Sequence, residues 1–275
     1  MRHVGALLRD WRRGRGLSQL DLAIAADVSQ RHVSLVETGR SRPSARMVLR
    51  LATHLDVPLR ERNRLLLAAG YAPEYAERPL GAAALAAAGD AVRRVLTSHE
   101  PYPAVVLDRR WNVLLSNQAM APFLAGVAPD LLEPVPNLLR LAMDPRGLGP
   151  LVENFADVRR VFRARIMRQL ANAPDSELTM LYDEFLGSHP EDDDATLEVD
   201  GLLPMVVHHG DHKLRLFSTI TTFATPLDVT LEEMVIESYY PADETTAAFF
   251  EDHRRTGSPI SYLAEPRPGA ACGSA

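Results

Sequence analysis

The sequence predicts two domains of different fold class: an all-α N-terminal domain and an α+β C-terminal domain built on an antiparallel sheet. At 275 residues, the chain is long for one domain and comfortable for two. Apolar residues recur at helical spacing through the first quarter, and alternating apolar runs typical of strands follow later. The first 71 residues hold 13 basic and 6 acidic side chains, a net charge of +7, whereas the remainder has a net charge of −13.

The first domain, predicted over residues 1–72, consists of short helices with recognisable ends. Ser18 and Ser29 each precede a helical segment and are expected N-caps, and Asp21 completes a loose capping box with Ser18. Gly39 follows the third helix, where a glycine commonly ends a helix. Because this domain is basic and the rest of the chain is acidic, we expect its partner to be a polyanion.

The third helix of this domain divides into two faces. Val33 and Val36 point into the core, and a mainly polar set of side chains lies opposite. An amide fits adenine, a guanidinium fits guanine, and an apolar side chain fits the thymine methyl group. The alternative is a helical bundle whose arginines form a solvated surface. The predicted DNA contacts are Gln30, Arg31, Ser34 and Leu35 on the helix, Ser29 at its cap, Gln19 at the start of the second helix, and Arg40 and Arg42 on the following loop.

One continuous stretch carries a family resemblance. GLSQLDLAIAADVSQRHVSLVETGRSRPSARMVLRLATHLDVP resembles the helix-turn-helix of the Cro/cI-type, or XRE, regulators, and the resemblance covers residues 3–70. It implies a transcription regulator that binds double-stranded DNA in a sequence-specific manner. It also implies a structural ion pair between Arg12 and Glu37. In a homodimer, two such recognition helices would enter successive major grooves about 34–36 Å apart.

The second domain is predicted over residues 100–255, after a linker and connecting helix over 73–99. A hairpin turning at 108–110 comes first, and a long amphipathic helix spans Leu151 to about Asn172. Three strands follow, with turns near 210–211 and 226–228, and a helix closes the domain. This β-β-α-α-α-β-β-β order is that of a PAS-like domain. The tail over 256–275 is expected to be disordered.

The second domain also resembles a known family. AVVLDRRWNVLLSNQAM, NLLRLAMDP and FSTITTFATPLDVTLEEMVIESYYPAD are similar to the C-terminal domain of the MmyB-like transcription regulators. The resemblance implies a ligand sensor with a fatty-acid-like effector. A pocket for such a ligand needs apolar walls and one polar anchor. The candidate walls are Trp111, Phe123, Phe162, Met167, Phe217 and Phe223, and the candidate anchors include Arg140 and His209. The alternative is a filled core in a domain that only dimerises or docks a protein partner.

The remaining patterns favour a regulator over an enzyme. His208 and His209 are adjacent on a predicted strand, so they face opposite sides and are poorly placed to share a metal ion. We find neither a glycine-rich phosphate loop nor a nucleophile elbow in the sequence. We therefore expect no catalytic residues, no metal and no other cofactor. No apolar run reaches about 18 residues, and no signal peptide is evident, so we expect a cytoplasmic, nucleoid-associated protein without a membrane partner.

Overall fold

The computed structural model describes residues 3–187 and 203–256, which fall into two compact units. The N-terminal unit contains the chain up to Pro79 together with the segment Ala224–Glu232. The C-terminal unit contains Leu80–Phe223 and the chain from Glu233 onward. The sequence predicts a tail over 256–275, and its residues after Thr256 lie outside the described part of the chain.

The N-terminal unit is helical, as predicted. Each predicted serine cap forms: the Ser18 hydroxyl accepts the Asp21 N–H at 3.1 Å, and the Ser29 hydroxyl accepts the His32 N–H at 3.1 Å. The Asp21 carboxylate in turn accepts the Ser18 N–H at 2.8 Å, which completes the capping box. The helices are α1 (Val4–Gly14), α2 (Gln19–Ala25), α3 (Gln30–Glu37), α4 (Ala45–His54) and α5 (Leu59–Ala68).

Helices α1 and α3 approach each other at Gly5. A Cβ atom on Gly5 would lie 1.9 Å from the Val36 carbonyl oxygen, far inside van der Waals contact. Glycine is therefore required at this position because only a residue without a side chain lets the two backbones come so close. This contact fixes the inner side of α3, where Val33 and Val36 are buried in the core of the unit.

The C-terminal unit is built on a five-stranded antiparallel sheet, which confirms the predicted α+β fold class. Its strand order is β2-β1-β5-β4-β3, and every neighbouring pair runs antiparallel. Gly210 adopts a φ of 56° in the turn between β3 and β4, where the sequence predicts a turn. The strands are β1 (Ala104–Leu107), β2 (Val113–Ser116), β3 (Met205–His209), β4 (His212–Thr221) and β5 (Val235–Pro241).

Helices complete this part of the chain. The long amphipathic helix begins at Phe155 rather than at the predicted Leu151, because residues 149–151 form a separate 3-10 turn followed by an extended Val152. Including this helix, eight α-helices are described after α5: α6 (Ala86–Ser98), α7 (Ala121–Leu124), α8 (Pro129–Leu132), α9 (Leu138–Met143), α10 (Phe155–Asn172), α11 (Ser176–Phe185), α12 (Val229–Glu233) and α13 (Glu244–Thr256).

The segment between β4 and β5 is more than the turn predicted at 226–228. The Asp228 carboxylate accepts the Thr230 N–H at 2.9 Å and so starts helix α12. Within the N-terminal unit, the Val229 N–H donates to the Ala76 carbonyl at 2.8 Å. Glu232 accepts the Leu59 N–H at 2.7 Å. Glu232 thereby caps α5, whose own N-cap is a proline without a capping side chain.

Candidate DNA-binding surface and ligand cavity

Helix α3 separates its packing residues from its outward-facing residues. Gln30 and Arg31 are exposed at the start of the helix, and Ser34 and Leu35 are half-buried one turn later. The Ser29 hydroxyl caps α3 by accepting a hydrogen bond from the His32 N–H, so its own O–H can still donate to another group. The structure thus brings the four predicted base-reading side chains onto one part of α3, away from the buried valines.

The predicted ion pair between α1 and α3 is present and almost fully buried. Arg12 donates through Nε to Glu37 Oε1 at 2.6 Å and through Nη2 to Oε2 at 2.9 Å, a bidentate geometry. Glu37 is only 2% exposed. Burial acts to raise the pKa of Glu37, but hydrogen bonds from Arg12 and Gln19 outweigh it and hold that pKa below its usual value. Glu37 is therefore an ionised carboxylate neutralised inside the unit.

Two of the predicted DNA contacts, Gln19 and Arg42, already have partners within the unit. The Gln19 amide donates to Glu37 Oε2 at 2.9 Å, and its second N–H remains available for another acceptor. Arg42 is exposed, yet it donates to the Ala69 carbonyl at 2.9 Å from Nη2 and stacks over Tyr71. Arg42 thus caps the C-terminus of α5, a role that sequence reasoning missed. Arg40 is exposed on the same loop.

The C-terminal unit contains an apolar cavity of about 130 Å³. One wall is the face of the sheet formed by β3, β4 and β5, and another wall comes from α10 through Val158, Val161 and Phe162. Helices α7 and α9 contribute Phe123 and Leu138. The lining is almost entirely aliphatic and aromatic, so the cavity suits an apolar molecule.

Polar groups are confined to one part of the wall, on neighbouring strands. Ser218 on β4 lies directly opposite Tyr239 on β5, and Glu237 precedes Tyr239 by two residues on the same face. The side chain of Glu237 is 4% exposed, and it accepts a hydrogen bond from Arg165 Nη1 at 2.7 Å. Burial raises the pKa of the Tyr239 hydroxyl well above its ordinary value, and the Glu237 carboxylate raises it further.

Comparisons with known protein families agree with this geometry. A helix-turn-helix domain model matches residues 3–65, the part of the chain that forms α1 to α5. The model of the MmyB-like transcription regulator ligand binding domain matches residues 88–252, more than half of the chain. The chain belongs to the MmyB-like transcription regulators. It combines a DNA-binding domain with a ligand-binding domain, the domain architecture of a DNA-binding transcription regulator.

Two further comparisons complete this result. The crystal structure of the clp gene regulator ClgR from Corynebacterium glutamicum matches 36% of this chain and 90% of that chain, with 28% identity and a TM-score of 0.22. The comparison with curated proteins found no match. Among residues 3–187 and 203–256, no helix is long and apolar enough to cross a membrane, and no three or more His, Cys, Asp or Glu side chains are grouped so that they could hold a metal ion.

In this MmyB-like domain, three of the eight predicted ligand residues border the cavity: Phe123, Phe162 and Phe217, although the Phe217 ring stacks on Tyr240 rather than facing the cavity beside Ser218. The others lie elsewhere. Trp111 is 2% exposed and packs behind Phe162, with ring centroids 5.1 Å apart. Met167 is 51% exposed on α10. Arg140 pairs with Glu184. His209 contacts the rings of Phe123 and Phe249. Phe223 follows the end of β4.

Sequence reasoning missed the polar residues of the MmyB-like cavity. The predicted polar anchors, Arg140 and His209, do not line the cavity. The available signal was Glu237, a carboxylate in the otherwise uncharged strand VIESYYP. A charged residue in the middle of a strand that pairs on both sides needs a buried partner, and Arg165 of α10 provides it.

Proposed function

We propose that this MmyB-like regulator binds a small apolar ligand in its C-terminal cavity and that the bound ligand changes its affinity for an operator. The apolar cavity with its polar groups on β4 and β5 is the observation that carries the proposal. An engineered apolar cavity of about 150 Å³ takes up benzene, so a cavity of about 130 Å³ is of the size that a small apolar group occupies. The apolar walls are compatible with the fatty-acid-like effector that the family resemblance implies.

The connection between β4 and β5 supports a coupling between ligand and DNA. Ser218 and Tyr239 line the cavity on these strands, and the segment 224–232 that joins the strands packs within the N-terminal unit. There Glu232 caps α5 and Asp228 pairs with Arg78 at 3.2 Å. A ligand that shifts β4 or β5 would therefore act on a segment that stabilises the DNA-binding unit. Ligand binding would then shift the population of DNA-competent conformations.

The proposal includes a homodimer in the cytoplasm, associated with the nucleoid, and no catalytic step. A dimer would place two α3 helices in successive major grooves about 34–36 Å apart, so the operator would carry two half-sites. The competing candidate is a regulator whose C-terminal domain only dimerises or docks a protein. That candidate predicts a cavity that takes up no ligand.

Operator selection followed by titration tests the proposal. Sequences bound from random DNA identify the operator, and fluorescence anisotropy then gives its affinity with and without 1-octanol as the apolar probe. We expect a symmetric operator and an affinity that changes about fivefold or more on addition of the probe. No enrichment of any sequence would contradict DNA recognition. An unchanged affinity at saturating, calorimetrically verified occupancy would contradict ligand control.

A further inference from the structure

Trp111 has an unusual backbone conformation in the core of the C-terminal unit. Its φ of 69° lies in the left-handed region, where a bulky aromatic residue is an outlier because its Cβ crowds the neighbouring carbonyl. Trp111 is 2% exposed, so the packing around its side chain holds the backbone in this conformation. Residues strained in this way persist only where their surroundings impose the strain, and they cluster at functional sites and switch regions.

The Trp111 ring contacts the wall of the cavity through two neighbours on α10. Phe162 lines the cavity and packs against this ring, with centroids 5.1 Å apart. The Arg165 guanidinium lies 4.2 Å from the centre of the ring and donates at 2.7 Å to Glu237, which also lines the cavity. Because protein interiors are close-packed, a displacement of either wall residue changes the packing that holds Trp111.

On its other side, the turn that ends at Trp111 reaches helix α12. The indole Nε1–H donates to Gln169 Oε1 at 3.1 Å, and the Gln169 amide in turn donates to the Arg109 carbonyl. The Arg109 guanidinium lies 3.6 Å from the Glu233 carboxylate, the last residue of α12. Glu233 directly follows Glu232, which caps α5 in the N-terminal unit. The turn therefore connects the cavity wall with the helix whose first residues belong to that unit.

We propose that Trp111 and Arg109 form a relay that transmits occupancy of the cavity to α12. The relay rests on the proposed function and specifies how the same cavity regulates DNA binding. A ligand that displaces Phe162 changes the packing on Trp111, and the turn then relaxes from its left-handed conformation. Relaxation moves Arg109 relative to Glu233 and so alters the hold on α12. Coupling between distant sites requires an element with two arrangements, and the strained turn at Trp111 provides it.

Glu233→Gln tests the connection of the relay to α12. The amide keeps the size of the side chain but removes the charge that attracts Arg109. Calorimetry gives the binding of 1-octanol to the full chain, and fluorescence anisotropy gives operator affinity with and without saturating 1-octanol. We expect unchanged binding of 1-octanol and loss of the operator response, which is about fivefold or more in the wild type. A full response in Glu233→Gln would overturn the relay and leave ligand control of DNA binding intact.

Glu177→Gln is the matched control. Glu177 pairs with Arg110, the neighbouring arginine of the same turn, but it lies on α11 instead of α12. We expect this variant to respond to 1-octanol as the wild type does. An equal loss of response in Glu177→Gln and Glu233→Gln would overturn the specific path through Arg109. Failure of the wild type to bind 1-octanol, or to respond to it, would instead contradict the proposed function itself.

Tryptophan fluorescence tests the connection of the relay to the cavity. The chain has two tryptophans, so Trp11→Phe leaves Trp111 as the only one. We expect saturating 1-octanol to change the emission of Trp111, because Phe162 and Arg165 both contact its ring. Unchanged emission at calorimetrically verified occupancy would overturn the relay. This measurement leaves the turn and α12 unaltered, so it decides the matter even if Glu233→Gln does not fold.

Discussion

Glu37 ends helix α3 as a buried carboxylate, and Arg12 neutralises it. Replacing Arg12 by Met keeps an unbranched chain but leaves the carboxylate buried without its cation. Removing one member of a buried ion pair typically costs about 3–5 kcal/mol, so we expect a loss of this size in the free energy of unfolding of the N-terminal unit. Urea unfolding followed by circular dichroism measures it. Arg13→Met, an exposed neighbour on the same helix, is the control. Equal stabilities of the two variants would contradict the structural role of the pair.

Arg31, Arg40 and Arg42 are expected to contribute to DNA binding in different ways. Arg31→Ala should cost about 1–3 kcal/mol at the selected operator and relax specificity there, because Arg31 is exposed on α3 and we expect its guanidinium to contact a base edge. Arg40→Ala should weaken operator and random DNA alike and flatten the salt dependence, as expected for a phosphate contact. Arg42→Ala should do the same and also destabilise the unit, because the Ala69 carbonyl loses its donor.

Anisotropy titrations over a salt series, together with thermal unfolding, separate these three outcomes. Wild-type DNA binding by all three variants would contradict the assignment of the DNA-binding face. Wild-type stability of Arg42→Ala would instead contradict its capping role at the end of α5.

The packing of α1 against α3 depends on Gly5, which has no side chain. In Gly5→Ala the new Cβ would lie 1.9 Å from the Val36 carbonyl oxygen, so the two helices must separate. We expect a loss of more than about 3 kcal/mol in the free energy of unfolding, at the upper end for an overpacked core. Gly14→Ala is the matched control, since nothing lies within 4 Å of its added Cβ. It should be neutral or stabilising by up to about 1 kcal/mol. Similar melting temperatures for the two variants would contradict the close contact.

Local features of the elements could be predicted from the sequence, and long-range contacts could not. Ser18 and Ser29 are recognisable caps because the donors they satisfy lie three residues away. Glu232 caps α5 across 173 residues of sequence, and Glu237 pairs with Arg165 across 72. No local pattern encodes either contact. The pairing of Arg12 with Glu37 was predicted only because a family resemblance provided the partner.

The residues that line the cavity could also be predicted only in part, because they come together through long-range contacts. Aromatic residues were selected by type, and type alone does not distinguish Phe162, which lines the cavity, from Trp111, which packs behind it. Glu237 was overlooked because a buried carboxylate contradicts the apolar pattern by which a lipid-like pocket is sought. Such exceptions to local rules are expected at functional sites.

At the scale of the whole molecule, the chain connects a basic DNA-binding unit to an acidic ligand-binding unit. The segment 224–232 belongs to the first unit by its contacts and continues into β4 and β5 of the second unit along the chain. A ligand in the cavity can change operator affinity only by as much as it prefers one conformation over another. Coupling of this kind typically amounts to about 5–150-fold.

Blocking the cavity tests the central claim most directly. Val161→Trp places a large side chain at the cavity wall, and Met167→Trp adds the same side chain to the same helix outside the cavity. The measurement is operator affinity by fluorescence anisotropy, with and without saturating 1-octanol, for both variants and the wild type. We predict that 1-octanol changes the affinity about fivefold or more for the wild type and Met167→Trp, and has no effect on Val161→Trp. An equal response in all three proteins would contradict control of DNA binding by this cavity.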